Sequence, residues 1–433
     1  MASGTVHIIG AGLAGLSAAV SCVGSDREIV VHELARHAGG RCRSYFEPAL
    51  GMTIDNGNHL LLSANDAALS FLKTIGSEGR LAGPDEAKFA FADLASGESW
   101  TLHPNEGPIP WWIFAKDRRV PGTKPLDYLS MMRLLLTGHD ESLDKIIDCS
   151  GILYERLSRP LFLAALNTEP REASAVLASA ILRKTLARGG RACHPLIASE
   201  GLGPAFIDPA LAYLERNGAK LCFMHQLRGI WVAGGEVKRL DFGENMIELA
   251  SGDAVILAVP AAVARLLLPD IDSPTSFRAI VNAHFKIAPP EGFPRLLGIV
   301  HGTAEWLFAY PDRISTTISA ADRYNETSRE ELARAIWNDV AKLIDAKGDM
   351  PPWHIVKERR ATFAALPEEN AKRPQAETQL ANLFLAGDWT ATGLPATIEG
   401  AICSGKTVAN LLLGGDARRR RYLNGSGAGR QSL

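Results

Sequence analysis

The chain has 433 residues, with 46 basic and 48 acidic side chains and a formal net charge of -2. This length allows two or three lobes with sizeable cores. The balanced charge gives no electrostatic reason to expect nucleic acid as a partner. The six cysteines form no CxxC pair, so we expect free thiols in a reducing compartment and no bound metal.

The first predicted elements form a dinucleotide motif. Thr5 to Ile9 predicts a strand, and the sequence GAGLAG at Gly10 to Gly15 leads from it into a helix rich in Ala, Leu and Ser. Gly10 permits a tight turn, Gly12 lets backbone N–H groups approach a pyrophosphate, and Gly15 allows the helix to pack on the strand. This arrangement predicts a phosphate site at the helix N-terminus.

The next strand supports the same interpretation. Glu28 to His32 is an apolar run, and Glu33 follows it directly. An acidic residue in this place accepts hydrogen bonds from the ribose hydroxyls. The other glycine-rich segment, Gly201 to Pro204, contains a proline and has no β-branched strand before it, so we expect a single dinucleotide site.

The middle of the chain predicts an inserted, mainly helical lobe. Pro104 to Pro125 is rich in proline and tryptophan, and apolar or helical patterns follow at Leu126 to Thr137, Leu143 to Ala165 and Arg171 to Leu186. A helix is also expected from Pro204 to Arg216.

Strands then return, followed by a second insertion and a C-terminal helix. The helix Ser328 to Ala346 has Ser328 as its predicted N-cap, a further helix runs from Thr397 to about Leu413, and the Arg-rich and Gly/Ser-rich tail 414–433 is expected to be disordered. The predicted strands are Lys220 to Phe223, Leu227 to Val232, Val237 to Phe242, Asp253 to Pro260, Leu296 to Val300, Trp306 to Tyr310, Ser315 to Ser319 and Leu383 to Asp388.

Two of these segments resemble the amine oxidase and phytoene desaturase superfamily of flavoproteins. The run HAGGRCRS at His37 to Ser44 matches its GG-R-x-x-S pattern, and the last strand ends in Gly387-Asp388. The resemblance implies FAD as cofactor, with Arg41 neutralising phosphate and Asp388 bonding the ribityl chain. The FAD-binding residues that it implies are Gly10, Gly12, Ala14, Gly15, Glu33, Gly40, Arg41, Leu227, Gly387, Asp388, Thr397 and Ile398.

The resemblance also implies an α/β fold with insertions. A Rossmann-type FAD-binding domain would comprise residues 1–70, 190–270 and 355–413, interleaved with substrate-binding lobes at 71–189 and 271–354. Because only one nucleotide site is expected, electrons must come from the substrate or from an external donor or reductase.

Two longer sequence segments resemble one particular family within this superfamily. Asp55 to Leu62 (DNGNHLLL) and Gly387 to Ala401 (GDWTATGLPATIEGA) resemble the squalene-associated, FAD-dependent desaturase-like proteins of bacterial hopanoid synthesis. The reaction assigned to that family is reductive dehydroxylation of hydroxysqualene, which implies an apolar triterpenoid substrate. Lys357 to Phe363 and Arg373-Pro374 also fit the carotenoid desaturases.

This chemistry needs a proton donor beside the flavin. Asp55 and His59 are the candidate catalytic residues, because burial raises the pKa of a carboxylic acid and an imidazole titrates near neutrality. The alternative is that both residues only hold their loop or the ribityl chain. Trp111, Trp112 and Trp389 are candidates for lining an apolar cavity, with core packing as the alternative.

The sequence motifs also allow other functions of the same scaffold. An amine oxidase and a carotenoid desaturase use the same scaffold for oxidation, and GDI-like proteins use it to bind prenylated partners without redox chemistry. The joint presence of Glu33, Arg41 and Asp388 argues against the GDI-like alternative.

The sequence predicts a cytoplasmic protein with at most peripheral contact to the inner face of the cytoplasmic membrane. It begins with a strand rather than a basic leader, and it lacks an apolar run of about 18 residues. Leu126 to Leu136, with Arg133 and the run Arg418 to Arg421, is the candidate membrane contact. The alternative is that this apolar segment belongs to the core.

Overall fold

The computed structural model describes the backbone of residues 4–425 and the side chains of residues 4–414. The strands of this part are β1 (Thr5–Ile9), β2 (Glu28–His32), β3 (Ser44–Glu47), β4 (Met52–Asp55), β5 (Leu61–Leu62), β6 (Leu81–Ala82), β7 (Phe89–Asp93), β8 (Ser99–Leu102), β9 (Pro195–Ala198), β10 (Lys220–Cys222), β11 (Gly229–Ala233), β12 (Glu236–Asp241), β13 (Met246–Glu248), β14 (Ala254–Leu257), β15 (Phe277–Phe285), β16 (Leu296–Val300), β17 (Trp306–Ala309), β18 (Ile314–Ile318), β19 (Trp353–Phe363) and β20 (Leu383–Leu385). The helices are α1 (Leu13–Cys22), α2 (Asp66–Ile75), α3 (Leu129–Met132), α4 (Gly151–Leu153), α5 (Arg159–Leu166), α6 (Ala175–Lys184), α7 (Asp208–Arg216), α8 (Ala261–Leu267), α9 (Arg329–Leu343), α10 (Pro367–Ala371) and α11 (Ile398–Gly425).

A parallel sheet of order β10-β2-β1-β14-β20 forms the centre of the first domain. Strands β1, β2 and β14 are mostly buried and apolar, as parallel strands covered on both faces must be. The edge strand β10 is partly exposed. Helices α1, α7 and α11 contribute to the core on one face. This confirms the predicted α/β fold with a Rossmann-type domain.

Helices α1 and α11 approach each other at backbone distance. A Cβ placed on Gly405 would lie 2.3 Å from the Ala14 carbonyl oxygen. The Ser17 hydroxyl donates to the Ile402 carbonyl oxygen over 2.9 Å. The C-terminal helix is therefore fixed against the helix that follows the glycine motif.

The opposite face of the parallel sheet is covered by an antiparallel sheet of order β11-β12-β13. Val237 and Leu240 of β12 share a core with Val255 and Leu257 of β14. This small sheet brings the segment just before it, residues 223–228, over the end of β2.

The second lobe is built on a sheet of order β19-β15-β18-β17-β16-β7-β8. Its strands come from both predicted insertions, and a parallel pairing of β7 with β16 joins them. Strand β19 pairs antiparallel with β15 along most of its length. The predicted domain boundary at residue 355 falls inside β19.

Helix α9 packs on that sheet, with Ile336 and Val340 fully buried. The hydroxyl of Ser328 accepts a hydrogen bond from the Glu331 amide at 3.1 Å. Ser328 is therefore the N-cap that the sequence predicts.

The first insertion is less regular than expected. The helix predicted for 126–137 is three short turns, at Pro125–Tyr128, Leu129–Met132 and Arg133–Leu136. Tyr128 and Leu134 are buried while Leu126 and Leu136 are exposed. Among the described residues, no helix has the length and apolarity that a membrane span requires.

The C-terminal helix is longer than expected. Helix α11 continues to Gly425, because the Ala, Leu and Arg residues after Gly415 favour helix. The remainder of the predicted disordered tail, 426–433, lies outside the described residues.

Candidate functional site

The glycine motif forms an open cradle between β1 and α1. A Cβ on Gly10 would lie 2.4 Å from the Ala258 carbonyl oxygen, and one on Gly15 would lie 1.9 Å from the Gly10 carbonyl oxygen. These two glycines are required by packing. A Cβ on Gly12 would meet nothing within 4 Å, so the space beside Gly12 is free for a ligand. The neighbouring Ala14 is buried.

The N-terminus of α1 faces this cradle. Gly12 is the N-cap and provides no side-chain hydrogen bond to the first turn, which leaves amide donors and the positive end of the helix dipole for an anion. Gly39 forms an isolated bridge with Gly12, and a Cβ on Gly40 would lie 3.5 Å from the Gly12 Cα. The Gly39-Gly40 turn therefore forms one wall of the cradle.

Glu33 connects the second strand to the cradle. Its Oε2 accepts from the Ala11 amide and its Oε1 from the Ala35 amide, both over 2.8 Å. Each oxygen keeps a second lone pair, so the carboxylate is positioned to accept ribose hydroxyls. Leu227, predicted to contact the cofactor, is 7% exposed and belongs to the core next to this region.

Arg41 and Asp388 come together although they are far apart in sequence. Arg41 Nη2 lies 2.7 Å from Asp388 Oδ1, with side chains that are 41% and 8% exposed. The other terminal nitrogen of Arg41 donates to the Ala361 carbonyl oxygen over 2.5 Å. A guanidinium has five N–H donors, so donors remain for a phosphate.

The start of α11 completes the site. Thr397 Oγ1 accepts from the Gly400 amide over 3.1 Å, which makes Thr397 the cap of this helix, and Ile398 is buried. A Cβ on Gly387 would lie 2.4 Å from the indole of Trp389. Glycine is therefore needed where β20 turns toward Asp388.

The sequence analysis assigned no role to two buried charged residues, Glu399 and Arg373, that hold the segments around the site. The Glu399 carboxylate accepts from the Ala67 and Ala68 amides over 3.1 and 2.9 Å and pairs with Lys184 at 3.2 Å. It thus ties the start of α11 to the start of α2. No motif in the sequence indicates that Glu399 would contact Ala67, Ala68 and Lys184, which lie more than 200 residues away along the chain.

The second missed residue is Arg373, which holds the loop after β20. It donates to the Asp388 carbonyl oxygen over 3.2 Å, to Thr392 Oγ1 over 3.0 Å and to the Thr390 carbonyl oxygen. Burial lowers its pKa to about 10, and Arg373 remains charged at neutral pH. Its charge therefore shapes the backbone that presents Asp388.

Asp55 is buried, and one oxygen of its carboxylate bonds two neighbours. Its Oδ1 accepts from Ser44 Oγ over 2.5 Å and from the Leu202 amide over 2.9 Å. Burial raises the pKa of this carboxyl against the opposing effect of those hydrogen bonds. The contacts fix the segment that leads to His59.

Unlike Asp55, the His59 side chain makes no hydrogen bond to another described residue. Its imidazole is half-buried, and burial, assisted by the charge of Arg41, lowers its pKa to about 4. His59 lies four residues after Asp55 on the same segment, close enough to Arg41 for that charge to affect its ring.

The three candidate tryptophans have different surroundings. Trp112 is buried against Tyr128, with ring centroids 5.2 Å apart, and Trp389 is buried and donates to the Val259 carbonyl oxygen over 2.8 Å. Trp111 is 64% exposed. Trp112 and Trp389 therefore pack in the core, and Trp111 lies on the surface.

Comparison with known proteins identifies the family of this chain. The model of the flavin-containing amine oxidoreductases matches residues 13–413. A hydroxysqualene dehydroxylase from Sinorhizobium fredii is 51% identical over 94% of this chain and 98% of its own length. The chain belongs to the hydroxysqualene dehydroxylase family of flavin-containing amine oxidoreductases. A second member, from Rhodopseudomonas palustris, is 50% identical over 95% of this chain and 99% of its own.

Its cofactor is accordingly FAD, and the chain is an FAD-dependent oxidoreductase. Cyclohexylamine oxidase from Brevibacterium oxydans has the same fold, with a TM-score of 0.67 and 16% identity over 96% of this chain and 99% of its own. A 15-cis-phytoene desaturase from Synechococcus elongatus is 23% identical over 97% of this chain and 98% of its own. The carotenoid desaturases are thus distant relatives.

The open space at Gly12 provides a test of the FAD site. We expect Gly12→Val to abolish FAD retention, because the branched side chain occupies the space for the pyrophosphate. Gly12 has φ -75° and ψ 175°, which valine adopts without strain, so the fold should persist. Flavin absorbance per mole of purified protein is the measurement.

Gly79→Val is the matched control, since a Cβ on Gly79 also meets nothing within 4 Å and this residue lies in a surface turn away from the cradle. Full flavin occupancy in Gly12→Val would show that the cradle does not hold the pyrophosphate.

Proposed function

We propose that this protein is a hydroxysqualene dehydroxylase, which converts hydroxysqualene to squalene in triterpene synthesis. The supporting observation is the identity of about half of all residues to hydroxysqualene dehydroxylases over nearly the full length of both chains. Reduced FAD supplies a hydride in this chemistry. The allylic carbon accepts the hydride, the C–O bond breaks, and the hydroxyl leaves with a proton as water.

An apolar groove beside the site suits a triterpenoid. A cavity of about 800 Å³ lies between the edge of the second lobe and the β5-β9-β6 strands. Its wall includes Ser63, four residues after His59, and is mostly apolar. The apolar lining residues are Leu81, Ala82, Pro84, Ala90, Pro195, Leu196, Ile197, Pro294 and Leu296.

His59 and Asp55 have separate roles in this proposal. His59 relays the proton that leaves with the hydroxyl as water, because its ring makes no side-chain hydrogen bond among the described residues and is close enough to Arg41 to be affected by that charge. Asp55 is a positioning residue, because its Oδ1 already accepts from Ser44 and Leu202. Burial lowers the pKa of His59 to about 4, so the ring is neutral at pH 7. A neutral ring would pass on a proton that solvent or the reduced cofactor supplies, accepting at one nitrogen and donating from the other.

The reaction consumes reduced flavin, and the sequence provides one dinucleotide motif. We therefore propose that an external donor or reductase restores reduced FAD after each turnover. An electron-transfer partner needs access to the flavin, not a second nucleotide site on this chain.

The direction of the reaction is testable in a single turnover. Dithionite-reduced holoprotein mixed anaerobically with detergent-dispersed hydroxysqualene should produce squalene together with reoxidised flavin, in equal amounts. Flavin absorbance and extracted lipid analysis measure both products. Formation of desaturated product from phytoene by the oxidised protein, without squalene from hydroxysqualene, would favour the desaturase alternative.

The two proposed roles predict different effects of substituting His59 and Asp55. His59→Gln should lower the single-turnover rate constant by roughly 10²- to 10⁴-fold, the usual contribution of a positioned proton-transfer group, with unchanged FAD content and thermal midpoint. Asp55→Asn should lower the thermal midpoint as well as the rate constant, because it weakens the contacts to Ser44 and Leu202. An unaltered rate constant in His59→Gln would remove His59 from the mechanism.

We also propose peripheral contact with the inner face of the cytoplasmic membrane, where an insoluble substrate resides. Large apolar side chains at the surface of the first insertion support it. Lys116, Lys124 and Arg133 lie among them and outnumber Asp117 and Asp127. The members of this apolar surface patch are Ile109, Trp111, Phe114, Leu126, Leu129, Met132 and Leu136, each at least half exposed.

The apolar surface patch lies close to the groove. Arg191 and His194 approach Glu106, with the His194 ring 3.4 Å from its carboxylate, and His194 lines the groove. Trp112 and Tyr128, in contact, join the two segments of the patch. Apolar side chains inserted among lipids would therefore bring the groove next to the bilayer.

Flotation with anionic vesicles tests this contact. The wild-type holoprotein should float, and the double variant Leu126→Glu/Leu136→Glu should float at least about tenfold less, because two exposed apolar side chains no longer enter lipid. Leu126 and Leu136 are 74% and 86% exposed, so FAD content should not change. The control is Leu266→Glu on α8, where leucine is 81% exposed; equal losses in both variants would contradict the proposal.

A further inference from the structure

Three side chains capable of ligating a metal meet at the edge of the parallel sheet, on the face opposite α1. His32, Cys222 and His225 each offer one ligand atom, and these atoms lie within 4.8 Å of one another. The Nδ1 atoms of His32 and His225 are 2.8 Å apart. We propose that this cluster binds a zinc ion, a site independent of the dehydroxylation chemistry.

The fold places two of the ligands by strand register. Strands β2 and β10 are parallel neighbours, and Cys222 is the register partner of His32. Register partners in adjacent strands present their side chains on the same face of the sheet. Both residues end their strands, so the two side chains lie at the same edge.

A turn returns the third ligand to them. Met224 adopts φ 55°, a left-handed conformation that is costly for a non-glycine residue. Its amide donates to the Ala35 carbonyl oxygen over 3.2 Å, and the His225 amide donates to the Glu33 carbonyl oxygen over 2.8 Å. These contacts hold the strained turn and bring the His225 ring beside His32.

The rings are fixed by their surroundings. Phe242 stacks on His225 with centroids 3.9 Å apart and an interplanar angle of 6°, and its centroid is 4.7 Å from that of His32. His32 Nε2 lies 3.2 Å from His7 Nδ1. A ligating histidine whose other ring nitrogen bonds a partner is the usual arrangement at metal sites.

Two histidines and one cysteine suit zinc. Imidazole nitrogen and thiolate sulfur are its usual protein ligands, at about 2.0 and 2.3 Å, and a site with three protein ligands leaves a fourth position for water. The nitrogens must separate by only about half an ångström to reach tetrahedral spacing. Hard cations such as Mg²⁺ prefer oxygen ligands, which this cluster lacks.

Proton balance follows from the hydrogen bonds. With His32 Nε2–H donating to His7, the bridging proton between the two Nδ1 atoms belongs to His225. Metal binding moves that proton to His225 Nε2, releases one proton from the Cys222 thiol, and forms two Zn–N bonds and one Zn–S bond. No oxidant or reductant is needed.

The cluster has a route for entry and a link to the FAD site. His32 is buried, whereas Cys222 and His225 are partly exposed, so solvent reaches the open fourth position. The Glu33 amide donates to the Cys222 carbonyl oxygen over 2.8 Å. Glu33 therefore lies between the backbones of two ligands and holds the phosphate cradle with its side chain.

Zinc titration of the FAD-loaded protein, under a phosphine reductant, tests the site. A competing chromophoric chelator should report one equivalent of Zn²⁺ bound with a micromolar or lower Kd. Cys222→Ser and His225→Gln should each weaken binding by roughly 100-fold or more, and His7→Phe by about tenfold, as losses of ligand and of its supporting partner do. The controls are Cys403→Ser and His37→Gln, a half-buried free thiol and an exposed imidazole outside the cluster.

Co²⁺ provides a second readout that does not depend on affinity alone. The wild-type holoprotein with Co²⁺ should show d–d bands to the red of the flavin and a thiolate charge-transfer band that Cys222→Ser removes. Flavin content and thermal midpoint identify any variant that fails to fold. Retained Zn²⁺ binding in folded Cys222→Ser and His225→Gln, or less than a stoichiometric amount bound by wild type, would overturn the proposal, whatever the outcome of the turnover experiment.

Discussion

The architecture depends on the backbone of α1 approaching its neighbours without side chains between them. Gly10 and Gly15 allow the helix to begin close to β1 and to the Ala258 carbonyl oxygen, and Gly405 allows α11 to approach from the other side. The parallel sheet, the first helix and the last helix thus form one unit.

Charged side chains hold together the elements around this closely packed unit. Arg41 pairs with Asp388, Arg373 holds the backbone after Asp388, and Glu399 holds the start of α2. The Arg41 and Glu399 contacts join segments that are more than 300 residues apart along the chain. A buried ion that lost its partner would be strongly destabilising, so these residues specify one relative placement of the elements.

The features that sequence reasoning recovered are those with local physical causes. A strand, a tight turn and a helix have their glycines at fixed spacing, Ser328 caps the helix that directly follows it, and parallel strands are continuous apolar runs. The α/β fold, FAD and the family follow from such patterns. The order of strands in the second sheet and the partners of Glu399 do not, because they depend on contacts between remote segments. The partners of Arg373 are nearer in the sequence, but they are set by the path of the loop after β20, which has no repeating pattern.

The sequence also does not show which side chains of an apolar segment face the core or which residues of separate strands become neighbours. The segment 126–136 is mostly apolar, and its sequence does not show which apolar side chains are buried; the structure buries Tyr128 and Leu134. Likewise, Cys222 and His225 are three residues apart in the sequence, but the third member of the cluster, His32, is brought to them by the register of β2 against β10. Periodicity does not encode register between strands that are far apart.

The parallel pairing of β7 with β16 has a consequence for synthesis of the chain. Ala90 is the register partner of Leu297, so β7 leaves the ribosome without its neighbour on that side. At about 5 to 20 residues per second, roughly 200 residues take about 10 to 40 seconds to be added. During that interval an apolar strand edge is available to other nascent chains, so production of the protein at high levels is expected to depend on chaperone capacity.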